Sequence, residues 1–174
     1  MSSAVTVGAE DERLMRQALS WARRGLEAGE LPIGAVVAAG GEVLAGAHTN
    51  ERAEGRLLVH AELDALLAAD ATAVDVGDRG ALTLYTTVEP CLMCLGAAMS
   101  MFVPRVVFSL EAEGDGSTSL IAQWRRDEVQ FPGYQPPAVS SGVLRDESLA
   151  LFEEYLAADP PDDGPTRWAR RLLG

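Results

Sequence analysis

Leu14, Ala18, Trp21, Ala22 and Leu26 recur at helical spacing and predict an amphipathic helix over Glu10 to Gly29, with Gly29 ending it. The valine-rich apolar run Ile33 to Ala39 predicts a buried strand. Gly40-Gly41 predicts a hairpin turn, and Glu42 to His48 the returning strand. Thr49 to Val59 is polar and aperiodic, a loop. His60 to Ala69 then predicts a helix with Leu63, Leu66 and Leu67 turned inward. After a loop at Asp75 to Gly80, Ala81 to Thr86 predicts a third strand. Pro90 opens a helix running to about Met101, since proline at the first helical position forfeits no hydrogen bond. Arg105 to Leu110 predicts a fourth strand, Thr118 to Arg126 a helical stretch, and Val139 to Leu144 a short fifth strand. Val129 to Pro137, with three prolines, is irregular. Asp146 to Ala157 predicts a helix with Leu149, Phe152 and Leu156 inward. Asp159 to Pro165 breaks the chain before a last Arg/Trp/Leu segment, Arg167 to Leu173, which is helical or frayed.

Strands alternating with helices imply a sheet covered on both faces, and the opening hairpin makes that sheet mixed. The expected architecture is a three-layer α/β/α sandwich around a mixed five-stranded sheet. The 174 residues suit one core, so residues 1–158 are expected to form a single domain and 159–174 a C-terminal tail. No apolar run is long enough for a membrane span. Met1 to Glu12 is acidic, unlike a secretory signal, and a cytoplasmic protein is expected.

Charge narrows the partners expected. The net charge is −12, and all 14 basic residues are arginines. Nucleic-acid binders usually carry a basic footprint that neutralises phosphates. A chain this acidic repels a polyanion unless its arginines cluster, so nucleic acid is not the partner expected and a small neutral substrate fits better.

Two short segments hold the chemistry: His60-Ala61-Glu62 and Pro90-Cys91-Leu92-Met93-Cys94. Cys91 and Cys94 are the two cysteines, three apart, on one helical face near a helix start. The positive end of the helix dipole favours the thiolate that a metal needs. His60 starts the other helix, and in a sheet of this layout both starts can converge at one edge. Three protein ligands leave the fourth position of a tetrahedral zinc open, as a catalytic site requires. Zinc lowers the pKa of water and so supplies a nucleophile. Glu62, two residues beyond His60, is placed to carry protons without itself ligating.

These segments resemble the signature of the cytidine deaminase-like superfamily, His-x-Glu followed by Pro-Cys-x-x-Cys. The chain is most similar to the branch holding tRNA adenosine deaminases and bacterial guanine and cytosine deaminases. Leu31-Pro32-Ile33-Gly34-Ala35-Val36 looks like that branch's first strand, Thr87 to Ala97 its metal segment, and Arg105-Val106-Val107-Phe108 the strand that follows. The resemblance spans about Glu10 to Leu156. It implies zinc on His60, Cys91 and Cys94, with Glu62 as proton shuttle. It also implies substrate contacts from the Asn50 side chain, the Ala61 backbone N–H and Ile33, and a homodimer.

Two departures bear on the substrate. Arg56-Leu57-Leu58-Val59 replaces the family's usual Asp-Pro-Thr-Ala-like run before the zinc histidine. The turn Glu111 to Asp115 and the segment Asp159 to Asp163 are acidic where tRNA enzymes are basic. The expected activity is therefore hydrolytic deamination of a nucleobase, nucleoside or related aminated heterocycle, of the guanine/cytosine type. A tRNA adenosine-to-inosine deaminase is the first alternative. A non-catalytic zinc-containing nucleotide-binding module is the second, weakened by Glu62. A closed site that adds His48 is disfavoured, because the histidines are too far apart for a finger-like motif. The aromatics Trp124, Phe131 and Tyr134 serve equally well as a stacking lid or as packing. Trp168 with Arg167, Arg170 and Arg171 is a gate, an arm reaching a neighbouring subunit, or a solvated or docked tail.

Overall fold

The computed structural model describes residues 7–72, 76–125, 129 and 134–174. Helix α1 (Ala9–Glu27) has Glu10, Asp11 and Glu12 in its first turn, where carboxylates complement the helix dipole. Strands β1 (Gly34–Ala39) and β2 (Glu42–His48) form the predicted hairpin. Both turn residues lie in the left-handed region, Gly40 at φ 56° and Gly41 at φ 86°, the geometry a two-residue hairpin turn requires. A short helix α2 (Glu51–Glu54) interrupts the predicted loop, and α3 (Ala61–Asp70) follows it. Next come β3 (Leu82–Val88), α4 (Leu92–Ser100), β4 (Arg105–Leu110) and α5 (Thr118–Ile121). The chain closes with β5 (Ala138–Ser140), α6 (Arg145–Ala157) and α7 (Gly164–Leu173).

The sheet runs β2-β1-β3-β4-β5. β1 is antiparallel to β2 and to β3, whereas β3, β4 and β5 are mutually parallel. The expected mixed sheet of five strands, flanked by helices, is therefore present. Strand alternation divides the core. Ala35, Val37, Leu84 and Val106 face α3 and α4, meeting Ala65, Leu66, Leu95 and Met99. Val36, Ala38, Tyr85 and Val107 face α1 and α6, meeting Leu14, Met15, Ala18 and Leu151. A third cluster sits where β3 and β4 end: Val88 and Leu110 pack with Phe152 and Tyr155 of α6 and Ala169 of α7.

Helix α5 ends at Ile121, short of the expected stretch to Arg126, and three further differences bear on the site. Cys91 rather than Pro90 borders α4, because Cys91 takes the extended N-cap conformation at φ −69°, ψ 170°. β5 is cut to three residues: Gly142 (φ 78°) and Leu144 (φ 54°) turn the chain out of the sheet and into α6. The end of the chain is a docked helix. The Asp163 carboxylate accepts from the Thr166 N–H at 2.9 Å as its N-cap, Pro165 sits in the first turn, and Thr166 and Ala169 are buried. Among the described residues no helix is long and apolar enough to cross a membrane.

One ion pair fastens α1 to the sheet. Asp11, 5% exposed, accepts from Arg105 at 2.6 and 3.0 Å, from the Tyr85 hydroxyl at 2.9 Å and from the Gly8 N–H at 3.0 Å. Burial by itself raises the Asp11 carboxyl. The hydrogen bonds from Arg105, Gly8 and Tyr85 outweigh it and hold the pKa below the ordinary carboxylate value. A depressed folded-state pKa contributes stability above the unfolded value and loses it as pH falls through the folded value. Asp11→Ala is therefore expected to cost about 3 kcal/mol in urea unfolding at neutral pH, since it strands a partly buried guanidinium. The gap between variant and wild type should narrow below about pH 4; a gap that stays constant with pH would show that the charge on Asp11 is not what stabilises.

Candidate active site

Two helix starts meet at the sheet edge where β3 ends. His60 is the N-cap of α3 and Cys91 the N-cap of α4, both in extended backbone conformation, and Cys94 lies one turn into α4. The His60 Nδ1 atom is 3.6 Å from Cys91 Sγ and 3.5 Å from Cys94 Sγ. All three ligand atoms lie within 4.8 Å of one another. One imidazole nitrogen and two sulfurs converging on a point form a donor set suited to zinc, which accepts both atom types in tetrahedral geometry.

Local sequence holds each helix start in place. The loop before His60 is closed at its neck, where Asn50 N–H and the Thr49 hydroxyl both donate to the Val59 carbonyl, at 3.1 and 3.0 Å. Glu30, 2% exposed, anchors the loop's far side by accepting from the Arg52 and Ala53 N–H groups at 3.1 and 2.8 Å. Glu89, next to the Pro90-Cys91 pair, accepts from the N–H groups of Ala112 and Thr118 at 3.1 and 3.0 Å and from the Thr118 hydroxyl. This folds the segment after β4 against the metal-binding turn. Gly116 makes the fold possible, because a Cβ there would lie 2.1 Å from the Glu89 carboxylate.

The donors open into a cavity of about 440 Å³. Glu62 lines it while only 4% exposed, and its Oε2 lies 3.8 Å from Cys94 Sγ. Burial pushes its carboxyl pKa above the ordinary carboxylate value, because desolvation disfavours the charged form. The side chains near it are coupled. The hydrogen bond with Cys94 is the largest influence holding Cys91 down at about 4, and the bond to Cys91 the largest raising His60 to about 10, while Cys94 is pushed up. Metal binding to such a trio must release the protons they share.

Ile33 and Ala61 both line the cavity. Ala61 is the first residue of α3, so its N–H has no partner in the helix's own ladder and is available to an acceptor. Asn50 is placed differently: its neighbours Thr49 and Glu51 line the cavity, while its own Nδ2 donates to the His48 carbonyl at 3.4 Å. His48 itself bonds the Thr49 carbonyl through Nδ1 at 2.8 Å, apart from the three donors. Trp124 and Tyr134 are not among the lining residues, Tyr134 instead meeting the Ser100 hydroxyl at 3.0 Å; Phe131 lies outside the described residues. The aromatic wall comes from the end of the chain, where Trp168 of α7 lines the cavity and packs 6.1 Å from the Phe152 ring.

Glu51 is a site residue that sequence spacing did not single out. Its Oε1 is 3.5 Å from His60 Nε2, the ring nitrogen facing away from the sulfurs. A carboxylate behind a metal-binding histidine fixes the ring's tautomer and orientation. Nothing in the pattern of the predicted loop marks Glu51, because the contact exists only once α2 turns the chain back.

Residues 9–110 match the profile of the cytidine and deoxycytidylate deaminase zinc-binding region. The chain is 37% identical over 150 residues to the tRNA-specific adenosine deaminase of Bacillus subtilis, covering 84% of this chain and 88% of that protein. Among solved structures it is similar to one described under A-to-I editing by tRNA:A34 deaminases at the wobble position of transfer RNA, with TM-score 0.65, 28% identity and coverage of 80% and 98%. It is also similar to the guanine deaminase from Nitrosomonas europaea, with TM-score 0.67, 26% identity and coverage of 90% and 89%. The first of these relatives overturns the expectation that nucleic acid is not a partner. A net charge of −12 sums the whole surface, whereas recognition depends on the field at one cleft, and the sum does not report that field.

Glu51→Ala should weaken zinc binding about 10–100-fold in chelator competition while leaving the fold intact. His60→Ala and Cys94→Ala should instead abolish stoichiometric binding, near one zinc per chain in the wild type. Unchanged affinity in Glu51→Ala would show that the His60–Glu51 contact does not orient the ligand.

Proposed function

The chain belongs to the cytidine and deoxycytidylate deaminase zinc-binding family and is a zinc-dependent hydrolytic deaminase, and from that premise we propose that it is a cytoplasmic tRNA adenosine deaminase, converting adenosine to inosine in an anticodon loop. The observation that carries this reading is the 37% identity, over 84% of the chain and 88% of its relative, to a tRNA-specific adenosine deaminase. The site's geometry is compatible with it. A cavity of about 440 Å³ admits one flipped-out base with its ribose.

In this reading His60 Nδ1 and the sulfurs of Cys91 and Cys94 hold the zinc. Zinc, when bound, lowers the pKa of water toward neutrality and supplies the nucleophile. Glu62 performs the proton work. Its buried carboxylate would take a proton from the attacking water and pass it to the ring nitrogen; it would then take the second proton from the hydroxyl now on the ring carbon and deliver it to the amino group, which leaves as ammonia as the C–N bond breaks and the C=O forms. Apolar Leu31, Ile33 and Val88 sandwich the flat ring and exclude bulk water, and the Ala61 N–H meets an acceptor on the ring edge. Glu51 behind His60 and Glu89 behind the Pro90-Cys91 turn act as positioning residues.

A second reading, deamination of free guanine, is favoured by the similarity to the Nitrosomonas europaea guanine deaminase, which extends over 90% of the chain. Zinc-loaded protein should release ammonia from an anticodon stem-loop bearing adenosine at the wobble position, with inosine as product. Glu62→Ala should lose on the order of 10³-fold or more in turnover yet keep its zinc. Turnover of guanine with none on the stem-loop would replace the first reading by the second. Equal turnover by Glu62→Ala would remove Glu62 from the chemistry.

A further inference from the structure

The C-terminal helix is built into the cavity wall. Gly164, Pro165, Trp168 and Arg171 all line it, spaced so that they share one face of α7. The opposite face is fixed. Arg52 of α2 grips the Asp163 carboxylate with its Nε at 3.2 Å and Nη2 at 2.8 Å, and reaches the Thr166 hydroxyl at 3.0 Å. That hydroxyl lies 2.8 Å from the Tyr155 hydroxyl on α6. A forked guanidinium–carboxylate pair holds both groups in a fixed plane, so the helix is set in place at its first turn. The same Arg52 stands on the loop that delivers His60 and Glu51, so the helix and the metal-binding loop share one anchor.

Arg171 is distinct from its neighbours on this helix. Arg167 and Arg170 both reach Asp162, at 3.6 and 2.7 Å. Among the described residues the Arg171 guanidinium makes no hydrogen bond, ion pair or ring contact. It is also the one arginine among the described residues that line the cavity, and it stands exposed at the mouth while Glu62 is buried within. In a chain with 26 acidic residues and 14 arginines, a guanidinium without a carboxylate partner beside the reaction cavity is free to take an anion from solution. The anion that accompanies a nucleobase is phosphate, which matches the guanidinium fork.

We propose that Arg171, presented at the cavity mouth by the anchored helix α7, binds a phosphate group next to the deaminated nucleotide and thereby selects phosphate-bearing substrates over free bases. This rests on the reading of the protein as a nucleotide-directed deaminase. Trp168, one turn before Arg171, walls the cavity beside it, so base and phosphate meet adjacent residues of one helix. The phosphate belongs either to an RNA backbone or to a mononucleotide, and the two are distinguished by substrate length.

The test compares zinc-loaded Arg171→Ala and Arg171→Lys with zinc-loaded wild type on four substrates: the anticodon stem-loop, the same stem-loop with neutral methylphosphonates flanking the target, the mononucleotide and its unphosphorylated nucleoside. Arg171→Ala is expected to raise KM for the stem-loop roughly tenfold with kcat little changed. The salt dependence of log KM should fall by about 0.7. Arg171→Lys should recover part of the loss. On the methylphosphonate stem-loop the wild type should drop toward the variant, and the variant should lose nothing further. An equal loss on charged and neutral substrates, or no loss on either, would overturn the proposal and leave Arg171 as wall or surface. If only the mononucleotide is turned over, and Arg171→Ala impairs it relative to the nucleoside, the tRNA reading fails and the phosphate site stands. If the wild type acts solely on unphosphorylated bases, both fail.

Discussion

The cavity depends on one constraint: an imidazole nitrogen and two sulfurs, from segments about thirty residues apart, must stay within 4.8 Å of one another. Two helix N-caps satisfy it. At an N-cap the backbone is extended, so the side chain projects ahead of the helix and not along its flank. Placing His60 and Cys91 at N-caps therefore aims both into the same space, with Cys94 one turn behind. Glu62 follows from the same geometry: just inside α3, it is carried beneath the donors and away from water, and that burial raises its pKa. The surrounding hydrogen bonds serve the two caps. The Thr49–Val59 neck fixes where α3 begins, and Glu89 fixes the turn into α4.

Much of this was legible in the sequence because it is local. Strand alternation and helical spacing located the five strands and helices α1, α3, α4 and α6, and residue type, spacing and family resemblance marked His60, Cys91 and Cys94 as the candidate donors that the fold brings together. What stayed hidden depends on long-range contact. Glu51 reads as one acidic residue in a polar loop, and only its approach to His60 Nε2 gives it a role. Asn50, expected from the family resemblance to contact substrate, turns its amide toward the His48 carbonyl, where the neck of the loop fixes its backbone. The shortening of β5 lay in Gly142 and Leu144, whose left-handed backbone no hydrophobic pattern reports.

The end of the chain shows why composition misled. Asp159 to Asp163 looks like an acidic, proline-broken tail, and a tail of that kind adds to the argument against a polyanionic partner. In the fold these acids have local duties: Asp163 caps α7 and pairs with Arg52, and Asp162 engages Arg167 and Arg170. A carboxylate paired with a guanidinium in contact contributes little field a Debye length away, which is about 8 Å at physiological ionic strength. Net charge counts such pairs as zero and every unpaired acid in full, wherever on the surface it lies. It therefore describes solubility and long-range behaviour better than it describes a cleft.

The anchored helix also ties the cavity wall to the metal-binding loop. Arg52 contacts both the carbonyl of Gly29 and the cap of α7, while its own backbone N–H is held by buried Glu30. Its position on α2 is next to Glu51, the carboxylate behind the zinc-binding histidine. The first turn of α7 and the loop that carries His60 are therefore held by the same side chain. Two segments that sequence places more than a hundred residues apart are joined through one guanidinium, and its hydrogen bonds leave it few alternative arrangements. The helix that walls the cavity and the loop that carries Glu51 and His60 thus share one anchor.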